Sequence, residues 1–242
     1  MKGALFQNRF WLCVLIPVWV GLAICIPILV HYSTLKHEPV NAWYFDTTSQ
    51  TYMYKGDNTL KGSTTIFLPD EYLGRPITVI GANAFKDFKN LKSVTLPAGL
   101  TAIYDNAFFG CEKLASINIP DGVNEIRSGA FQNCTGLTSV KLPSVLHEIS
   151  GWVFQGCTSL SSITLPANIM NLGTKAFKDS SLKNITIMRT ADIVNICADT
   201  FGGCTLENIY LPDIDILGLY WFNPSVVYWA PYKDILKIIV NH

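Results

Sequence analysis

The segment IPDGVNEIRSGAFQNCTGLTSVKLP, residues 119–143, is one unit of a repeat. It begins and ends with an apolar residue followed by proline, and the two prolines, Pro120 and Pro143, are 23 residues apart. The same spacing separates Phe108 from Phe131. Because proline, phenylalanine, leucine and β-branched positions all keep this phase through several copies, we predict a chain built from stacked repeats.

Each unit contains the pattern Leu-x-x-[Val/Ile]-x-[Leu/Ile]-Pro, as in residues 91–97. Val94 and Leu96 alternate with the polar residues Ser93 and Thr95. This alternation predicts a strand with one buried face. The following proline should end the strand, because it has no N–H for the ladder. Asp, Asn, Ser and Gly before each Phe predict a turn or a single helical turn.

One such unit cannot bury its own apolar side, so the units must stack on one another. The predicted fold is therefore a repeat solenoid, a coil of parallel strands about 4.8 Å apart joined by short turns. In this fold Phe packs on Phe and Leu packs on Leu of the next coil, which gives one continuous core.

The chain resembles the BspA-like leucine-rich repeats. The pattern [Leu/Ile]-Pro-x-x-[Val/Leu/Ile]-x-x-Ile-x-x-x-Ala-Phe-x-x-Cys-x-x-Leu is complete in residues 119–137 and changed in 142–160, where Val153 replaces Ala. The resemblance covers about residues 65–211. It implies a leucine-rich-repeat solenoid at the cell surface that binds or adheres to protein or glycan. No regular asparagine follows the strands, so we expect no asparagine spine.

An apolar segment precedes the repeats. Residues 10–30 carry no charge, and in a helix they would extend about 32 Å, close to the thickness of a bilayer core. We therefore predict one N-terminal transmembrane helix, an uncleaved signal anchor. Lys2 and Arg9 precede it without an acidic residue, which predicts a cytoplasmic N-terminus and extracellular repeats. Cleavage of a signal peptide and secretion is the alternative.

These features predict six segments. They are a cytoplasmic N-terminus (1–9), the transmembrane signal anchor (10–30), a spacer (31–42), an N-terminal cap (43–67), the repeats (68–211) and a C-terminal cap (212–242). The N-terminal cap is predicted to hold one or two strands with a turn at residues 56–58, and residues 235–240 resemble a final strand. The aromatic residues of 217–232 could form an apolar lid or a platform that stacks on sugar or peptide.

The cysteines do not suggest catalysis or metal binding. One repeat position holds Cys111, Cys134, Cys157 and Cys204, with Ser180 in the coil between the last two. Stacked side chains that point the same way do not form disulfides, so buried thiols are expected. Cys197 lies outside this series, and a bond to Cys204 is possible. No C-x-x-C pair suggests zinc.

Other chemical motifs are missing from the sequence. The four histidines are scattered, and there is no phosphate-binding loop, H-E-x-x-H or G-x-S-x-G. The net charge of zero argues against nucleic acid as a partner. We expect no catalytic residues, cofactor or metal, and hence no enzyme.

The outward side of the predicted strands carries two columns of residues, which we call the polar strip. The first column is Ser93, Ser116, Ser139, Ser162, Asn184 and Asn208, and the second is Thr95, Asn118, Lys141, Thr164, Thr186 and Tyr210. Solenoids commonly bind along such faces, although Ser and Thr also suit a merely hydrated sheet. The polar strip is the candidate site of a recognition or adhesion module. The alternative is a structural envelope protein that self-associates through its repeats, and the sequence leaves the oligomeric state open.

Overall fold

The computed structural model describes residues 42–188, 195–197, 199–211 and 237–240. These residues form a parallel β-solenoid of about six turns, as the repeat predicted. Each coil contributes a strand from the leucine-rich pattern and a second, shorter strand after the following proline, and turns connect the two. The strands thus form two separate faces of the coil.

The front sheet collects the strands of the leucine-rich pattern. These are β3 (Thr65–Phe67), β6 (Ser93–Thr95), β8 (Ser116–Asn118), β10 (Ser139–Lys141), β12 (Ser162–Leu165), β14 (Asn184–Ile187), β16 (Asn208–Leu211) and β17 (Lys237–Val240). The paired strands run parallel in three groups. The groups are β3 with β6, β8 with β10, and the four strands β12, β14, β16 and β17. In β6 the side chain of Val94 is buried between exposed Ser93 and Thr95, as the alternation predicted.

The second face is built from strands of two residues each, apart from the first, which has six. They are β5 (Arg75–Ile80), β7 (Ala102–Ile103), β9 (Glu125–Ile126), β11 (Glu148–Ile149), β13 (Asn171–Leu172) and β15 (Asn195–Ile196). Parallel ladders join β5 to β7 and β9, and β11 to β13 and β15. A short strand, β4 (Glu71–Tyr72), folds back antiparallel onto β5.

A stack of phenylalanine rings runs along the core. Ring centroids of Phe85 and Phe108 lie 4.9 Å apart, and those of Phe108 and Phe131 lie 5.2 Å apart with the planes nearly parallel. The stack continues through Phe154 and Phe177 to Phe201. All of these rings are buried. Burying a Phe side chain contributes roughly 1.5–3 kcal/mol, so the stack is a major source of stability.

The segments around each Phe are turns rather than helical turns. Two residues four apart adopt positive φ in each coil, for example Asn106 at 53° and Gly110 at 69°. Asn, Asp and Gly tolerate this conformation better than other residues, which explains the composition predicted to form turns. The backbone then bonds across coils, with Phe108 N donating to Ala130 O at 2.8 Å.

The N-terminal cap departs from the predicted layout. Its two strands, β1 (Trp43–Asp46) and β2 (Thr51–Tyr54), form an antiparallel hairpin that turns at residues 47–50 rather than at 56–58. Residues 56–58 lead instead into a 3-10 helix, Asn58–Leu60. The prediction missed the hairpin turn because the sequence of 47–50 lacks glycine and proline. Strand β3, at the end of the predicted cap, already pairs with the repeat strand β6.

At the other end, β17 lies within the predicted final strand and pairs parallel to β16. The predicted platform or lid at 217–232 and the predicted membrane span at 10–30 lie outside the described residues. Among the residues described, no helix is both long and apolar enough to cross a bilayer.

Candidate binding surface

All members of the polar strip lie on strands of the front sheet. The eight residues on β6, β8, β10 and β12 are exposed, and the four on β14 and β16 are half-buried. In the parallel ladder between β8 and β10, Ser116 lies beside Ser139 and Asn118 lies beside Lys141, so equivalent positions of the repeat are neighbours. The structure thus assembles the strip as one surface, and its use in binding remains a prediction.

The strip offers neutral hydrogen-bonding groups almost throughout. Asn208 Nδ2 donates to Asn184 Oδ1 at 2.7 Å, so these two amides partly satisfy each other. Lys141 is the only charged member of the strip. Hydroxyl and amide groups can both donate and accept hydrogen bonds, which suits a polar ligand better than an ionic one.

The strip is not uniform, because the front sheet is interrupted. Within residues 42–188 the ladder joins β8 to β10 and β12 to β14, but no ladder joins β10 to β12. Val140 on β10 is half-buried, whereas the equivalent residues Ile117 and Ile163 are 5% and 4% exposed. The interruption therefore opens a path toward the core at this coil.

A groove of about 510 Å³ occupies this position. It is lined by Asp121, Val140, Lys141, Leu142, Ser144, Thr164 and Pro166. Lys141 Nζ lies 3.5 Å from Asp121 Oδ1, and both side chains are largely exposed. Sequence reasoning placed Lys141 and Thr164 on the surface but missed Asp121 and Ser144. Both residues directly follow the strand-ending proline, and that repeated position was the signal that could have located them.

The repeated cysteines are structural. Cys134 Sγ donates to Phe108 O at 3.1 Å, and Cys157 Sγ donates to Phe131 O at 3.2 Å. Burial raises the pKa of Cys134 well above its ordinary value and raises the pKa of Cys157 to about 12. Both groups are therefore neutral thiols that satisfy a buried carbonyl, and neither is an activated nucleophile.

The other candidate reactive groups stay apart. Cys197 is exposed and Cys204 is buried, and both are free thiols, so the possible disulfide between them is not formed. His147 and Glu148 are exposed neighbours in the sequence. Among the described residues, no group of three or more His, Cys, Asp or Glu side chains could hold a metal ion.

An aromatic cluster at the N-terminal cap was not anticipated. The ring of Trp43 stacks on Tyr72 at 4.7 Å and meets the edge of Tyr54 at 5.0 Å. Tyr54 is buried and continues the phenylalanine stack, with its ring 5.1 Å from Phe85. Burial, followed by the charge of Asp57, raises the pKa of Tyr54. The cluster therefore closes the first coil of the solenoid.

Comparison with known proteins agrees with this architecture. The family model described as BspA type Leucine rich repeat region matches residues 78–207 in six copies. No protein among the curated sequences matches the chain.

Several solved structures are similar to the chain, among them two leucine-rich repeat proteins. The T. pallidum Leucine Rich Repeat protein (TpLRR) is 25% identical, with 85% of this chain and 100% of that chain covered and a TM-score of 0.63. A leucine-rich repeat protein from Eubacterium ventriosum is 22% identical, with 68% of this chain and 50% of that chain covered and a TM-score of 0.51. The second likeness concerns the fold alone.

Proposed function

We propose that this chain, which belongs to the BspA-type leucine-rich-repeat family, is a cell-surface recognition module that binds protein or glycan through its polar strip. Proteins of this family are often found at the cell surface and are typically non-enzymatic scaffolds. The alignment of neutral polar side chains in two columns on one exposed sheet is the observation that carries the proposal. Such a surface binds by area and hydrogen bonding rather than by a reactive group.

The distribution of polar groups supports binding over catalysis. Catalytic sites bring together ionisable groups whose pKa values are shifted toward their task. Here the buried thiols have raised pKa values and each donates to a backbone carbonyl. The exposed strip instead presents hydroxyls and amides, which favours recognition.

Binding can be tested with the full chain in detergent on protein and glycan arrays. We expect signal that is lost when Ser116, Asn118 and Ser139 are replaced together by Arg, because bulky charges would cover the strip. The matched control replaces Asn124 and His147 by Arg, because both residues are exposed but lie outside the front sheet. Binding that survives the strip variant and is lost in the control would move the site away from the front sheet. Binding only to the chain itself would favour the structural envelope alternative.

We further propose that the apolar segment 10–30 anchors the chain in the cell membrane, with the repeats outside. The uncharged run and the two preceding basic residues, Lys2 and Arg9, support this orientation. Protease added to intact cells that carry a C-terminally tagged chain should remove the tag. A tag that stays protected would contradict the orientation, and a tag recovered in the medium would indicate secretion after cleavage.

A further inference from the structure

We propose that the groove between β10 and β12 binds an uncharged sugar unit of a glycan. This inference rests on the proposed function and makes it more specific, because it selects one ligand class and one coil of the strip. It depends on three features of the groove: its opening, its rim and its lack of net charge.

The groove is open at this coil for a local reason. The front sheet is also interrupted between β6 and β8, but there Val94 and Ile117 remain 7% and 5% exposed. Among the described repeats, the inward-facing strand residue is half-buried only at the second interruption, where this residue is Val140. The inward-facing side chain on β10 is therefore more exposed than its counterparts in the neighbouring coils, which leaves apolar surface accessible below the polar strip.

The floor and rim of the groove combine two kinds of surface. Val140 and Pro166 provide an apolar floor, while the carboxylate of Asp121 and the ammonium of Lys141 stand at the rim. A pyranose ring has an apolar C–H face and several hydroxyls around its edge. Each hydroxyl can donate to a carboxylate and accept from an ammonium, so the ring can satisfy both charged groups while its C–H face covers the floor.

Charge decides which sugars fit. Lys141 Nζ lies 3.5 Å from Asp121 Oδ1, so the positive and negative charges of the rim compensate each other. A sulfated or carboxylated sugar would be attracted by Lys141 and repelled by Asp121 to a similar extent. An uncharged sugar can donate a hydrogen bond to Asp121 and accept one from Lys141, and it should bind with little dependence on salt.

An extended peptide fits the groove less well. A peptide strand inserted between β10 and β12 would hold them about 9.6 Å apart, twice the ordinary spacing of strands. Cα atoms of these two strands already approach within 8 Å of one another. The groove volume of about 510 Å³ lies within the range of small-ligand pockets, roughly 300–1,000 Å³.

The test compares variants of the full chain in detergent on an array of uncharged and acidic glycans, at low and high salt. Lys141→Met and Asp121→Asn should each weaken binding of an uncharged glycan by about tenfold or more, since the first removes a charged donor and the second turns a charged acceptor into a weaker neutral one. Lys92→Met, which removes an exposed lysine directly before β6, should leave binding unchanged. Thermal unfolding of each variant checks that the fold is retained.

A second pair of variants fills the groove without changing charge. Thr164→Tyr adds a ring beside the groove, and Thr186→Tyr adds the same ring one coil further along the same column. The first should abolish binding and the second should not.

The possible outcomes separate this inference from the proposed function. Glycan binding that is unaffected by Lys141→Met, Asp121→Asn and Thr164→Tyr would overturn the groove site and leave the recognition module intact. Binding restricted to proteins, or to acidic glycans with steep salt dependence, would overturn the ligand class. The absence of any binding partner on either array would count against the proposed function itself.

Discussion

Phe131 and Cys157 show how neighbouring coils depend on single residues. The ring of Phe131 packs between those of Phe108 and Phe154, and its carbonyl accepts a hydrogen bond from the Cys157 thiol of the next coil. The same carbonyl also accepts a hydrogen bond from Cys134 N at 3.2 Å, so the Cys157 thiol supplies its second hydrogen bond, and a small residue with a donor suits this position. Ser180 occupies the equivalent position two residues before Leu182, which shows that a hydroxyl is also accommodated there.

The Cys157 thiol makes stability depend on pH. Burial raises its pKa from 9.0 to about 12, so between these values the folded chain holds a proton that the unfolded chain has released. Stability is therefore complete below pH 9 and falls as the pH rises toward 12. At pH 10 the loss from this one thiol is roughly 1 kcal/mol.

Urea unfolding at pH 8 and pH 10 under reducing conditions measures this effect. The variant Cys157→Ala should lose roughly 1 kcal/mol less between the two pH values than the unaltered chain, although it is less stable at both. Cys197→Ala, which removes an exposed thiol, is the control and should not change the difference. An identical loss in all three proteins would contradict the assignment.

At the scale of elements, the N-terminal hairpin joins the solenoid through a parallel ladder between β2 and β5 and through a connection that contains Gly56. This residue follows β2 with a φ of 98°, and a Cβ added to it would lie 2.8 Å from Ala84 Cα. Close backbone approach and positive φ both exclude a side chain here. The connection then enters the 3-10 helix, where Asp57 accepts a hydrogen bond from Thr59 N at 2.8 Å.

Replacement of Gly56 by Ala should therefore lower the free energy of unfolding by at least about 2 kcal/mol, from backbone strain and the clash with Ala84. The matched control is Gly62→Ala, since no atom lies within 4 Å of the added Cβ. Its effect should stay within about 1 kcal/mol. Urea denaturation of the two variants gives both values, and equal effects would show that the tight approach at Gly56 is not needed.

Sequence patterns predicted some of these elements better than others. Repeated strands such as β6 were predicted because alternation and proline are local signals, and the same alternation located the polar strip. A turn at residues 56–58 was predicted as well, but the pairing of β1 with β2 and the close approach of Gly56 to the backbone were not, because they depend on contacts with Trp43, Tyr72 and Ala84. The groove was missed for the same reason, since the interruption between β10 and β12 is a property of two coils together.

The described repeats form a column of similar coils, each of which contacts mainly its neighbours. Consecutive Phe rings stay between 4.9 and 5.7 Å apart from Phe85 to Phe201, so every coil offers the next nearly the same surface. In such a column stability is close to a sum over coils and their interfaces. One complete coil should therefore be removable, provided that the phase of the repeat is kept.

Deletion of residues 120–142 removes 23 residues and joins Ile119 to Pro143, which restores the apolar-proline junction. Phe108 would then stack on Phe154, and we expect a folded, cooperative protein of lower thermal stability, measured by circular dichroism during heating. Deletion of residues 120–131 removes about half a coil and would place polar residues of the next turn in the core, so this control should be unfolded at room temperature. If both deletions unfold the chain, or the shorter one is tolerated, the coils are not interchangeable units. The 23-residue deletion also removes Asp121 and Lys141, so a folded variant without glycan binding would locate recognition in that coil rather than along the whole strip.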